Sequence, residues 1–152
     1  MAYGTVLDAQ MIRNKMIVRG IYEKYTRSDH DSYRVALHKD FVYTSPKYLP
    51  WGGVTRTSDR YLSTVVPRLS SLLDYSRFTY GGLTAENNCV VALYSVGLSG
   101  YASEVTFCEH WFVEGETVRS MWSSLFEPLP LLVAIEKMKR PAVHAVARWS
   151  PY

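Results

Sequence analysis

The chain is predicted to fold as one α+β domain, a cone in which a curved, mostly antiparallel sheet wraps around three N-terminal helices. Three observations carry that expectation. Apolar residues recur at helical spacing through the first part of the chain, the period changes to two from Ser76 onward, and Ser103 to Pro128 reads as one long hairpin. At 152 residues the chain fits a single domain with a sizeable core.

The elements follow in order. Val6, Leu7, Met11, Met16, Ile17, Ile21, Tyr22 and Tyr25 mark an amphipathic helix over residues 6–27, with Asp8 placed to favour its start. Tyr22 and Tyr25 are not expected to face the same way, and Tyr22 is assigned to the core because it follows Val18 and Ile21. SDHDS at 28–32 breaks this helix and caps a second, short one ending near His38. Asp40 to Ser45 is a short strand stopped by Pro46. The loop KYLPWGGVTRTS is structured by its prolines and glycine pair, leaving Tyr48 and Trp51 to cover an opening.

Thr57 or Ser58 caps the third helix, whose stripe runs Tyr61, Leu62, Val65, Val66, Leu69, Leu72, with a kink or break expected at Pro67. Strands follow over 77–83 and 89–98, with Gly81-Gly82, Glu86-Asn87-Asn88 and Ser99-Gly100 as the joints. The hairpin turns at Glu114-Gly115-Glu116, and a short helix is expected over 130–140.

Alternation in the first hairpin strand puts Val105, Phe107, Glu109, Trp111 and Val113 on one face, with Cys108, His110 and Phe112 on the other. Glu109 is the odd residue in an apolar row. A carboxylate there is paired, hydrogen-bonded or kept protonated, since burying a bare charge costs several kcal/mol. The plainer alternative is a partly exposed residue at a sheet edge.

Composition narrows the function. A net charge of +3, spread along the chain, gives no basic block for nucleic acid. Twelve Tyr and four Trp suit a cavity for large, flat, partly oxygenated ligands, as well as ordinary core use. Cys89 and Cys108 lack metal-type spacing and read as buried thiols, so neither a metal nor another cofactor is expected. No signal-type start or membrane-length run is present, which points to a cytoplasmic location. His38 and His110 are the histidines nearest the expected pocket, while His30 and His144 read as surface residues.

The order of elements, with TSPKYLPWGGVTRTSDRYL before the third helix and EHWFVEGETVRSMWSSLFEP at the end, resembles the nuclear transport factor 2-like superfamily. Within it the resemblance is to SnoaL-like polyketide cyclases and relatives of ketosteroid isomerase. It spans roughly residues 8–135, leaving 136–152 as a tail to the single domain. It implies Tyr22 and Glu109 as an oxygen-holding catalytic pair, in which a tyrosine and an acid with a shifted pKa face one substrate oxygen. The isomerase base position corresponds to Ser45 and the cyclase acid position to Ser124. Neither carries the family's acid.

Two readings follow. The first is a cofactor-free isomerase or lyase that cyclises, isomerises or dehydrates an apolar polycyclic, polyketide or terpenoid-like substrate in natural-product biosynthesis. Tyr43, Ser45, Tyr48, Trp51, Tyr61, Tyr94, Phe107, Trp111, Trp122 and Ser124 would line its pocket. The second, motivated by the two missing acids, is a non-catalytic small-molecule-binding or assembly module. Apolar groups on the outer sheet face, and the resemblance, point to a homodimer.

Overall fold

A computed structural model describes residues 2–139, with side chains from residue 8 onward. The tail over 140–152, including His144, lies outside the described residues. Helix α1 (Ala2–Thr26) buries Asn14, Val18, Ile21, Tyr22 and Tyr25 along one stripe. It starts before Asp8, which is therefore interior rather than a cap. Both tyrosines point inward, contrary to the expectation, because residues three apart are neighbours on one helix face.

Ser28 at φ 58 ends α1, and Asp29 then accepts a hydrogen bond from Ser32 N at 3.2 Å to cap α2 (His30–Arg34). That helix stops early. His38 consequently belongs to strand β1 (Leu37–Ser45), where its Nδ1 accepts from the Asp40 N–H at 3.1 Å.

After β2 (Gly53–Arg56), Thr57 accepts from Arg60 N at 3.3 Å and opens α3 (Ser58–Arg60). A π-helical turn at Tyr61–Val65 separates α3 from α4 (Val66–Leu72). This is the break expected at Pro67. The proline sits in the first turn of α4, where its missing N–H costs least, and the wider turn before it absorbs the mismatch.

Strands β3 (Leu73–Glu86), β4 (Cys89–Leu98), β5 (Glu104–Glu114) and β6 (Thr117–Phe126) complete an open six-stranded sheet, with helix α5 (Leu129–Lys139) after it. The order is β2-β1-β6-β5-β4-β3, and only β1 with β6 is parallel. Gly81-Gly82 is not a joint. β3 runs through it with a register shift, since glycine at position 81 lets Leu93 approach within 3.1 Å of where a Cβ would stand.

A larger irregularity in β3 lies between Asp74 and Thr79. Arg77 fixes it. Its guanidinium donates to the carbonyls of Leu98, Tyr101 and Ala102 at 2.7–3.1 Å and pairs with Asp74 at 3.0 Å. Gly97 leaves the room, as a Cβ there would lie 2.3 Å from Arg77 Nε. The neighbouring Tyr75 and Phe78 thereby line the cavity inside the sheet.

Candidate functional site

The inner row of β5 is as the alternation predicted: Val105, Phe107, Glu109, Trp111 and Val113 are all buried. Glu109, 6% exposed, lies mid-sheet rather than at an edge. Three hydroxyls converge on its carboxyl. Tyr22 Oη donates to Oε2, while Tyr94 Oη at 3.1 Å and Ser123 Oγ at 3.2 Å donate to Oε1. Trp111 Nε1 in turn donates to Tyr22 Oη at 2.9 Å. One helix and three strands thus supply a closed polar network inside an apolar cone.

Electrostatics follow from that placement. Burial raises the Glu109 pKa to about 6, and the donors from Tyr22, Tyr94 and Ser123 limit the rise by favouring the charged form. Of the states open to a carboxyl in this row, the arrangement is the hydrogen-bonded one: with a pKa of about 6 the group is mainly ionised at neutral pH and accepts from all three hydroxyls. The phenols of Tyr22 and Tyr94 are pushed well above the usual range, first by burial and then by the Glu109 charge, so both keep their protons.

The cavity beside this network is walled by Ile21, Tyr22, Tyr25, Tyr33, Tyr61, Tyr75, Phe78, Tyr94 and Trp111, with Glu109 in its floor. Its free volume is about 30 Å³, room for little more than a water molecule. Aromatic rings fill the rest. Phe78 packs against Tyr22, Tyr80 and Tyr94 at centroid distances of 5.7, 4.9 and 5.0 Å. Anything larger than water would have to displace rings, and the partly exposed Phe78 and Tyr75 on the irregular stretch of edge strand β3 are the ones nearest solvent.

The structure brings together Tyr22, Glu109, Tyr61, Tyr94 and Trp111. Phe107 stands behind them, stacked on Tyr94 at 5.2 Å. Tyr43, Ser45 and Trp51 form an adjoining buried group next to Ser123. Burial pushes the Tyr43 phenol up to about 12, tempered by nearby Ser45, Trp51 and Ser123, although Ser45 Oγ and Trp51 Nε1 lack a partner at sound hydrogen-bonding geometry.

Three predicted wall residues lie elsewhere. Trp122 is 62% exposed and Ser124 is exposed, both on the outer face of β6. The cause is one extra residue. β5 and β6 pair Val113 with Val118 but Phe112 with Ser120, so Arg119 is a bulge that turns the rest of β6 over. Without it Trp122 would stand opposite Glu109. With it Ser123 does, a residue that was not among the expected site residues. Arg119 itself reaches His38, Asp40 and Glu114.

Tyr48 is the third, 52% exposed and away from the cavity, while Trp51 is buried beside Tyr43. The loop between β1 and β2 is thus a tight turn and not a lid. Leu49 N donates to Pro46 O at 3.1 Å and Gly52 N to Leu49 O at 2.8 Å. A Cβ at position 52 would lie 2.1 Å from Pro46 O and 2.9 Å from Leu49 O, both backbone atoms. Gly52→Ala is expected to cost on the order of 3 kcal/mol in urea unfolding. A change under about 0.5 kcal/mol, the range of an ordinary surface substitution, would refute the tight turn.

Tyr25, Tyr33, Tyr75 and Phe78 also line the cavity, none of them among the expected wall residues. His30, expected at the surface, packs against Tyr25 at 5.2 Å and Tyr33 at 5.8 Å. His110 is exposed, and Cys89 and Cys108 are free thiols on the outer face, half-buried rather than buried. Among the described residues, no cluster of three or more His, Cys, Asp or Glu has metal-binding geometry, and no helix is long and apolar enough to cross a membrane.

No family model and no curated protein matches the sequence. Solved structures do match. TerC, co-crystallised with polyporic acid, superposes with a TM-score of 0.70 at 14% identity, over 82% of this chain and 98% of TerC. A Jannaschia sp. CCS1 protein, provisionally named a SnoaL-like polyketide cyclase, gives 0.68 at 13% identity, over 87% of this chain and 96% of its own. An NTF2-like protein of unknown function from Burkholderia pseudomallei K96243 gives 0.67 at 18%, over 81% and 97%. By architecture, then, the chain has the nuclear transport factor 2-like fold, the fold of the SnoaL-like branch.

Proposed function

We propose that the protein is a cofactor-free proton-transfer enzyme of the isomerase or cyclase type, acting on a flat, apolar, carbonyl-bearing substrate of polyketide or terpenoid-like character. The observation that carries this reading is the buried Glu109 carboxylate, held by three hydroxyls with a pKa near the working range of a general base. Ser45 and Ser124 lack the family's acids, and Glu109 takes the base role instead. Its carboxylate removes a proton from the carbon next to the carbonyl. The C–H electron pair becomes an enolate, and the new O–H on Glu109 displaces one donated phenol. That freed Tyr22 or Tyr94 hydroxyl then holds the enolate oxygen, a contact worth a few kcal/mol in such sites. The proton returns at another carbon, or the enolate carbon adds to a second carbonyl of the substrate, whose C=O π bond breaks and whose oxygen takes the proton from Glu109. The SnoaL-like name of one structural neighbour and the polyporic acid co-crystallised with another support this substrate class.

The small free volume favours a second reading, a binding module whose rings part only for a ligand. Deuterium incorporation from D2O into 1-tetralone, followed by NMR, separates the two. Exchange well above buffer is the enzyme result. Binding without exchange is the module result.

The proposed partner, besides the substrate, is a second copy of the chain docked on the outer sheet face. Leu93, Phe112, Trp122 and Phe126 are exposed there on three neighbouring strands. Sedimentation at micromolar concentration is expected to show a dimer, and Trp122→Glu a monomer that keeps its fold. A monomeric wild type would refute it.

A further inference from the structure

The cavity has two polar ends, and only one is accounted for above. At the other, Tyr25 and Tyr33 line the wall from α1 and α2, their rings stacked at 5.5 Å. Their side chains are 8% and 1% exposed, yet neither hydroxyl has a partner at hydrogen-bonding geometry. Tyr75 and Ser70 lie beside the Tyr25 phenol without forming a sound bond to it. His30 packs edge-on against both rings, its Nδ1 also buried and unpartnered, with Nε2 only 3.4 Å from Ser70 Oγ. Buried hydroxyls are nearly always paired, so two on one cavity wall mark a missing oxygen partner.

We propose that Tyr25 and Tyr33 form a second subsite that hydrogen-bonds an oxygen at the far end of the substrate. The ligand is then a flat aromatic ketone with oxygens at opposite ends, its carbonyl oxygen at the Tyr22 and Tyr94 hydroxyls beside Glu109 and its other oxygen between these two phenols. Tyr22 and Tyr25 are successive inward residues of α1, so the ends are separated by roughly one helical turn, about 5 Å along the wall. Burial raises both phenols, and both therefore remain donors at neutral pH. The inference rests on the function proposed above for the identity of the ketone end only.

The probes are 1-tetralone and 6-hydroxy-1-tetralone, which differ by the far oxygen, titrated by calorimetry. Wild type is expected to bind the hydroxylated ketone about tenfold more tightly, the increment of one good hydrogen bond. In Tyr25→Phe/Tyr33→Phe that preference falls within about twofold while 1-tetralone affinity holds, because a ring without its hydroxyl keeps the wall. Glu109→Gln keeps the preference. The double variant should melt no lower than wild type, as it removes two unpaired groups. Equal binding of the two ketones, no binding of either, a preference unchanged in the double variant, or a lowered melting temperature marking a structural water would each overturn the subsite. If deuterium exchange survives Glu109→Gln while the tyrosine-dependent preference persists, the proton-transfer reading fails and the subsite stands.

Discussion

Glu109→Gln is expected to lower deuterium exchange into 1-tetralone by a hundredfold or more, and Glu109→Ala by a similar factor. The equality is the informative part. Were Glu109 a protonated donor, Gln would preserve the donated hydrogen bond and be much the milder change. With a pKa of about 6 the group is about nine-tenths ionised at pH 7, so the function lost is proton acceptance, and both variants lose it. Gln also keeps the volume between Tyr22, Tyr94 and Ser123, so its effect is not that of a collapsed cavity. The checks are kcat/KM for exchange together with an unchanged circular-dichroism spectrum. A Gln variant within about threefold of wild type would place the proton acceptor elsewhere.

The second large effect is in pH. Below about pH 6 the exchange rate should fall tenfold for each unit as the base is protonated, with a plateau above pH 7. Stability changes in the opposite sense. Folding raises the Glu109 pKa from its ordinary 4.5 to about 6, so the folded state binds the proton more tightly than the unfolded chain. Its contribution is fully present below pH 4.5 and is lost as pH rises through 6, a change of about 2 kcal/mol in order of magnitude. Relative to Glu109→Gln, wild type should therefore weaken between pH 4.5 and 7 in urea titrations. The exposed carboxylates of Asp29 and Asp74, held low by their hydrogen bonds, shift the other way but cancel in this difference. A difference that is flat with pH, or that grows more favourable to wild type, would contradict the burial of the charge.

The fold was legible because it rests on periodicity. Periodicity and turn signals located the helices and five of the six strands, all but β2, and the parity of β5 put Glu109 inside. What was hidden depends on backbone irregularity. A single bulge at Arg119 put Ser123 on the inner face of β6 and left Trp122 and Ser124, the latter expected from the family resemblance, on the outer one. The irregular stretch of β3 around Arg77, anchored to carbonyls twenty or more residues away, brought to the cavity Phe78 from an expected short strand and Tyr75 from the unassigned residues before it. Tyr25 was recoverable. Its spacing of three from Tyr22 is what one helix face allows, and a double aromatic stripe on α1 was the available signal.

The central claim is that Glu109 is a buried carboxylate poised as a base, and its own titration tests this most directly. With the carboxyl labelled by carbon-13 and assigned through its loss in Glu109→Gln, the resonance should titrate with a midpoint near pH 6 in the free protein. A midpoint at the ordinary carboxylate value of 4.5 would show that the group is solvated and carries no special chemistry. A resonance still protonated at pH 8 would return Glu109 to the role of hydrogen-bond donor and contradict the mechanism.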